Sequence, residues 1–169
     1  MQKTLIIIPS RLSAARLPGK PLLKINNLSI ISHVLKKAEE SKIGKVYVAT
    51  EDKEIVEDVK KNGGNAIITS KEHKTGTDRI YSLFEKLNLQ NIDYIINLQG
   101  DEPNIETDDL KKLDRLVKKN KSDIGTLAAK VNNISVFSNE NVVKVITETD
   151  LNKDSFPLAK DFKRNIINY

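Results

Sequence analysis

Short apolar runs alternate with stretches of helical period along most of this chain. Residues 5–8 form an unbroken apolar run, the pattern of a strand buried on both faces. Residues 29–42 then place Ile30, Ile31, Val34, Leu35 and Ala38 at helical spacing. Residues 46–49 read as a second strand. Residues 52–61 read as a helix, with Asn62-Gly63-Gly64 as its stop signal. Residues 66–68 are a short third strand. Residues 77–89 set Ile80, Leu83, Phe84 and Leu87 on one helical face. Residues 94–98 are a fourth strand, and residues 107–119 a helix with Leu110, Leu113, Leu116 and Val117 inward. Residues 124–131 and 142–146 read as further strands. After residue 148 the periodicity fades.

Strands alternating with helices imply right-handed crossovers and an open, mostly parallel sheet flanked by helices, an α/β fold of Rossmann-like type. No repeat, linker or low-complexity segment divides residues 1–169, so they read as a single domain. The apolar, strand-like run at the last residues, Asn165-Ile166-Ile167-Asn168-Tyr169, points to a domain cut short at its C-terminus.

The net charge is +5, with lysines interleaved among acids as on solvated helix faces. Few aromatics and no arginine-rich stretch argue against a nucleic-acid binder. A modest positive field suits a small anionic substrate. Cysteine is absent, which removes disulfides and thiolate metal sites and fits a reducing compartment. No run reaches membrane-span length, and the N-terminus does not read as a signal peptide, so the expectation is a cytoplasmic protein.

Three loops carry candidate chemistry. Residues 9–22, PSRLSAARLPGKPL, follow the first strand and bring Arg11, Arg16, Gly19 and Lys20 to its carboxyl end. Open α/β sheets bind ligands there. Glycine lets the backbone approach a polyphosphate, arginine forks onto its oxygens and lysine adds a point charge. The Walker pattern is absent. Gln99-Gly100-Asp101-Glu102-Pro103 follows the fourth strand and exposes Asp101 at a tight turn, where Mg²⁺ shared with substrate phosphates takes a carboxylate. Read alone, the same turn is equally a place where Asp101 caps backbone amides. Lys71 to Arg79 opens a helix, with Thr75 or Thr77 as N-cap and Asp78 in its first turn. His73 reads there as a solvated loop histidine, and His33 as a helix residue without a role. No nucleophile elbow or zinc motif is present, and the loops suit metal-assisted phosphoryl chemistry, in which positioning and charge stabilisation do most of the catalysis.

Together these segments resemble the CMP-KDO synthetases (3-deoxy-manno-octulosonate cytidylyltransferases). The carriers are Ile7 to Arg11, Ala15 to Leu22, His73 to Arg79 and Asn97 to Pro103, with 139–146 (NENVVKVI) also similar. The match is collinear from residue 4 to about 146, and R-L-P-G-K-P-L with Q-G-D-E-P is a specific pair. The family's usual alanine before the loop arginine is Ser10 here.

The resemblance implies transfer of CMP from CTP to the acid sugar KDO, with release of pyrophosphate, for lipopolysaccharide synthesis. It implies Arg11 and Lys20 on the CTP phosphates, Asp101 on Mg²⁺ and Arg16 supporting the loop. It places Pro9, Ser10, Thr75, Gly76 and Arg79 around the nucleotide, and Gln99 toward the sugar acid. It also implies a homodimer at full length. Family members run longer, and their later part carries a second metal-binding aspartate and much of the sugar site. Residues 155–160 depart from the family's pattern. The alternatives are a related sugar-acid nucleotidyltransferase, a spore-coat-type glycosyltransferase, or a non-catalytic nucleotide-binding remnant.

Overall fold

A computed structural model describes residues 2–13, 17–152 and 155–165. They group into two compact units, 1–118 and 119–169, and each is taken by itself.

The first unit is built on four parallel strands. They are β1 (Thr4–Ser10), β4 (Gly44–Thr50), β5 (Ala66–Ile68) and β6 (Tyr94–Asn97), in the order β5-β4-β1-β6. β1 is central, pairing Thr4 with Gly44 on one side and with Tyr94 on the other. Its side chains alternate between two apolar layers, as strand geometry requires. Ile6 and Ile8 pack with Val46 and Val48 under α1 (Ile30–Glu40), α2 (Lys53–Lys61) and Leu110 of α4 (Thr107–Asn120). Leu5 and Ile7 pack with Ala49 against Ile80 and Leu83 of α3 (Gly76–Leu87). Burying each such aliphatic side chain stabilises the fold by roughly 1.5–3 kcal/mol. This two-sided burial is why residues 5–8 carry no polar break.

The order of the strands also determines where a ligand fits. The chain moves outward from β1 through β4 to β5, then returns to place β6 on the other flank of β1. Right-handed crossovers put α1 and α2 on one face and α3 on the other. The direction reverses between β1 and β6, and the loops leaving these strands splay apart there into a crevice.

Five differences from the sequence expectation stand out. A hairpin of β2 (Lys24–Ile25) and β3 (Leu28–Ser29) turns through Asn26 and Asn27, both at positive φ, a conformation asparagine tolerates. Its strands are too short to show a period of two. Residues 124–131, expected as a strand, form none: no neighbour supplies a ladder among the described residues, and Ile124 is 88% exposed. In the second unit, β7 (Lys144–Thr147) lies slightly later than the expected 142–146 and pairs antiparallel with β8 (Ala159–Lys163). β8 falls where the sequence period fades, and so does not stand out. Lys144 in β7 is buried, its ammonium donating to the carbonyls of Asn139 and Arg164. A short helix, α5 (Ile134–Ser138), precedes it, capped by the Asn133 side chain accepting from the Ser135 amide. No helix among the described residues is long and apolar enough to cross a membrane.

Candidate active site

The crevice at the β1/β6 switch is a cavity of about 340 Å³. Pro9, Ser10, Arg11, Lys20, Thr75, Gly76, Arg79, Gln99 and Asp101 all line it. Nine of the ten residues singled out from the sequence therefore converge on one space. The tenth, Arg16, lies outside the described residues. Convergence follows from topology. β1 delivers residues 9–11, β6 delivers 99–101, and the β5–α3 loop closes the third side.

The first loop is held in a defined shape. The Leu12 amide donates to the Asp52 carboxylate at 2.7 Å, tying the loop to the N-cap residue of α2. The Gly19 amide then donates back to the Leu12 carbonyl at 3.0 Å. Gly19 has φ +73°, a conformation a side chain would strain. A 3₁₀ turn over Lys20–Leu22, with Pro21 fixing φ near its start, follows directly. This turn presents Lys20 across the cavity.

On the opposite wall, Gly100 brings the β6 loop against β1. A Cβ there would stand 2.9 Å from the Pro9 carbonyl oxygen, so only glycine allows this approach. Asp101 is thereby placed with its Oδ2 2.8 Å from the Lys20 ammonium. Both side chains are substantially exposed, 35% and 55%, so the pair is worth little in stability, about 0–1 kcal/mol. It therefore opens at low cost. Arg11 has no ion-pair partner among the described residues, nor has Lys74 on the facing loop. Among the described residues the wall therefore carries four cations, of which Arg79 is paired with Glu51, against one carboxylate, an arrangement for a polyanion.

The third wall begins α3. Of the two candidate caps, Thr75 is the N-cap. Its hydroxyl accepts from the Asp78 amide at 3.1 Å, and the Asp78 carboxylate accepts from the Thr75 amide at 3.2 Å. This reciprocal capping box fixes the entry angle of the helix. Gly76, the first helical residue, packs against Pro9.

Arg79 lines the cavity, where the resemblance places it, and is also tied inward. It is 3% exposed, and its guanidinium donates to the Thr69 hydroxyl at 2.6 Å, to the Ser70 carbonyl at 3.3 Å and to the Glu51 carboxylate. Both terminal nitrogens donate inside the protein. Arg79 fastens α3 to the ends of β4 and β5, and so positions the wall from behind. His73 departs from its expected place. It is no solvated loop residue: it lines the cavity, and its Nε2 is buried with no partner. Its place in the run His73 to Arg79, next to the helix cap, was the available signal. His33 Nε2 lies 2.8 Å from the Ile25 carbonyl and takes no part in the site. Gln99 donates to Asn97 Oδ1 at 2.8 Å, which orients its amide at the cavity's edge.

A family model described as cytidylyltransferase matches residues 5–169. The chain belongs to the cytidylyltransferase family. It is 43% identical over 145 residues to the 3-deoxy-manno-octulosonate cytidylyltransferase of Nitrobacter winogradskyi, covering 85% of this chain and 57% of that protein. To the enzyme of the same name from Thermodesulfovibrio yellowstonii it is 44% identical over 149 residues, covering 85% and 58%. Among solved structures it is similar to CMP:2-keto-3-deoxy-manno-octonic acid synthetase complexed with CTP. There the TM-score is 0.82 at 32% identity, over 99% of this chain and 66% of that one. The mostly parallel sheet flanked by helices is the fold expected of this family. The chain spans somewhat over half the length of these curated relatives.

Proposed function

We propose that this chain forms the nucleotide-binding part of an enzyme that transfers CMP from CTP to KDO. The observation that carries the reading is the meeting of Arg11, Lys20 and Asp101 in one cavity at the β1/β6 switch. The cavity accounts for the triphosphate. The base and the sugar acid rest on what the relatives are named for.

In the proposed reaction, the anomeric hydroxyl of KDO attacks the α-phosphorus of CTP. A new oxygen–phosphorus bond forms, the bond to the bridging oxygen breaks, pyrophosphate leaves, and the hydroxyl proton is released. Arg11 and Lys20 hold the phosphates and stabilise the charge that builds on the leaving group. Gln99 faces the sugar acid, and Thr75 and Gly76 border the nucleotide.

Mg²⁺ belongs to the same proposal. Among the described residues no group of three or more carboxylates and histidines stands ready for a metal. Asp101 is the one carboxylate in the cavity wall among the described residues. A single carboxylate fits Mg²⁺, which completes its shell with substrate phosphates and water. Bound there, the ion would neutralise phosphate charge at the reacting centre. The reading further puts the protein in the cytoplasm, in the supply of activated KDO for lipopolysaccharide, and as a homodimer at full length.

Calorimetric titration with CTP and with ATP, each with Mg²⁺, tests the proposal. Binding of CTP and not ATP is the expected result, followed by CMP transfer to KDO. Binding of neither overturns it for this chain. Lys20→Ala should lower kcat for transfer by about 30- to 1,000-fold, ~2–4 kcal/mol of transition-state stabilisation, as for other electrostatic donors. A raised KM with kcat intact would assign Lys20 to uniform substrate binding instead.

A further inference from the structure

A second cavity, of about 740 Å³, opens at the other end of the central sheet, where β1 and β4 begin. Thr4 and Gly44, the first residues of these strands, both line it. All of its lining residues belong to the first unit, and none of them lines the nucleotide cavity. A concave space of this size takes a small molecule whole, unlike a flat interaction surface.

Its interior is apolar because both core layers reach the surface here. Ile43 packs at the edge of one layer, and Leu89 and Ile92 at the edge of the other. Its rim is cationic. Among the described residues, Lys3, Lys42, Lys45, Lys111 and Lys118 stand against a single carboxylate, Asp114. That carboxylate is already occupied. The Thr4 hydroxyl donates to one of its oxygens, and the Lys118 ammonium donates to the other at 2.7 Å. Lys111 forms an exposed pair with Asp108. Lys3, Lys42 and Lys45 are exposed, and their ammonium groups have no ion-pair partner among the described residues. The local field is therefore strongly positive, beside an apolar hollow.

We propose that this pocket binds a small amphipathic anion, an apolar body carrying a phosphate or carboxylate head. The body lies against Ile43, Leu89 and Ile92, and the head meets Lys3, Lys42 and Lys45. Lysine acts as a point charge and lacks the planar fork of arginine, so the charge of the head selects it rather than its shape. The proposal stands on these residues and does not rest on the nucleotide reading.

The test is calorimetric titration of the 169-residue chain with octyl phosphate below its micellar concentration, with 1-octanol and with inorganic phosphate. Octyl phosphate should bind roughly 100-fold tighter than inorganic phosphate, the worth of removing about four methylene groups from water. It should bind about 10-fold tighter than octanol, the summed worth of a few exposed charges. The variant Lys3→Gln, Lys42→Gln, Lys45→Gln should lose that 10-fold and melt at the wild-type temperature, since these lysines are exposed. Lys20→Ala should bind octyl phosphate as the wild type does, and saturating CTP should not displace it. Octyl phosphate that binds no tighter than either fragment overturns the proposal. So does unchanged affinity in the triple lysine variant. Displacement by CTP, or loss in Lys20→Ala, would put the ligand in the nucleotide cavity and overturn it as well. Sedimentation with phosphatidylglycerol vesicles, without saturable binding of octyl phosphate, would assign this face to a membrane surface and overturn the pocket.

Discussion

Asp101→Asn should abolish Mg²⁺-dependent CMP transfer, lowering kcat by roughly 10³-fold, the several kcal/mol a metal contributes to phosphoryl chemistry. Asparagine keeps the shape of aspartate and can still accept from Lys20, but it lacks the charge that holds a divalent ion. Stability should barely change, because the Lys20–Asp101 pair is exposed on both sides and worth about 0–1 kcal/mol. A second consequence has the opposite sign. Without Asp101 the cavity wall keeps Arg11, Lys20 and Lys74 and loses its one opposing carboxylate. Tripolyphosphate should therefore bind more tightly in the absence of metal, even as the metal-dependent rate disappears. Kinetics at varied Mg²⁺ and metal-free calorimetry read the two effects separately. A misfolded variant would lose both. An unchanged kcat would remove Asp101 from the metal-binding role.

The central sheet was legible because burial on both faces writes itself into sequence. Residues 5–8 have no polar break, and β1 has helices above and below. The motif loops were legible for a related reason. Each follows a strand, and the carboxyl ends of parallel strands lie at one edge, so loops far apart in sequence had to converge. What escaped depends on partners the sequence does not name. Arg79 and Glu51 are 28 positions apart, and only folding shows that their side chains meet. The His73 Nε2 is buried by what surrounds the loop, not by any period within it. Residues 124–131 have the composition of a strand and lack a ladder, because strand structure needs a neighbour as well as apolar side chains. The hairpin at Asn26-Asn27 was signalled by its turn residues, although its strands are too short for alternation.

Arg79→Leu should destabilise the fold by about 3–5 kcal/mol in urea denaturation, the cost of breaking a buried ion pair from one side. The pair is well sequestered, with side-chain exposures of 4% for Arg79 and 13% for Glu51. Removing the guanidinium strands the Glu51 carboxylate and leaves the Thr69 hydroxyl and Ser70 carbonyl without their donor. Against a typical domain stability of roughly 5–15 kcal/mol this is a large fraction. Arg79→Lys should recover part of the loss and not all, since an ammonium cannot reproduce the planar fork that reaches three acceptors. Adding Glu51→Leu to Arg79→Leu should recover more, because a buried pair replaced by apolar groups no longer strands a charge. These outcomes separate two roles for one residue. An arginine that gripped the nucleotide would lower CTP affinity at little cost in stability, and the second substitution would not restore binding. An arginine that fastens α3 behind the cavity lowers both together. The paired apolar substitution should then restore CTP affinity along with stability, by returning Thr75 and Gly76 to the wall they form.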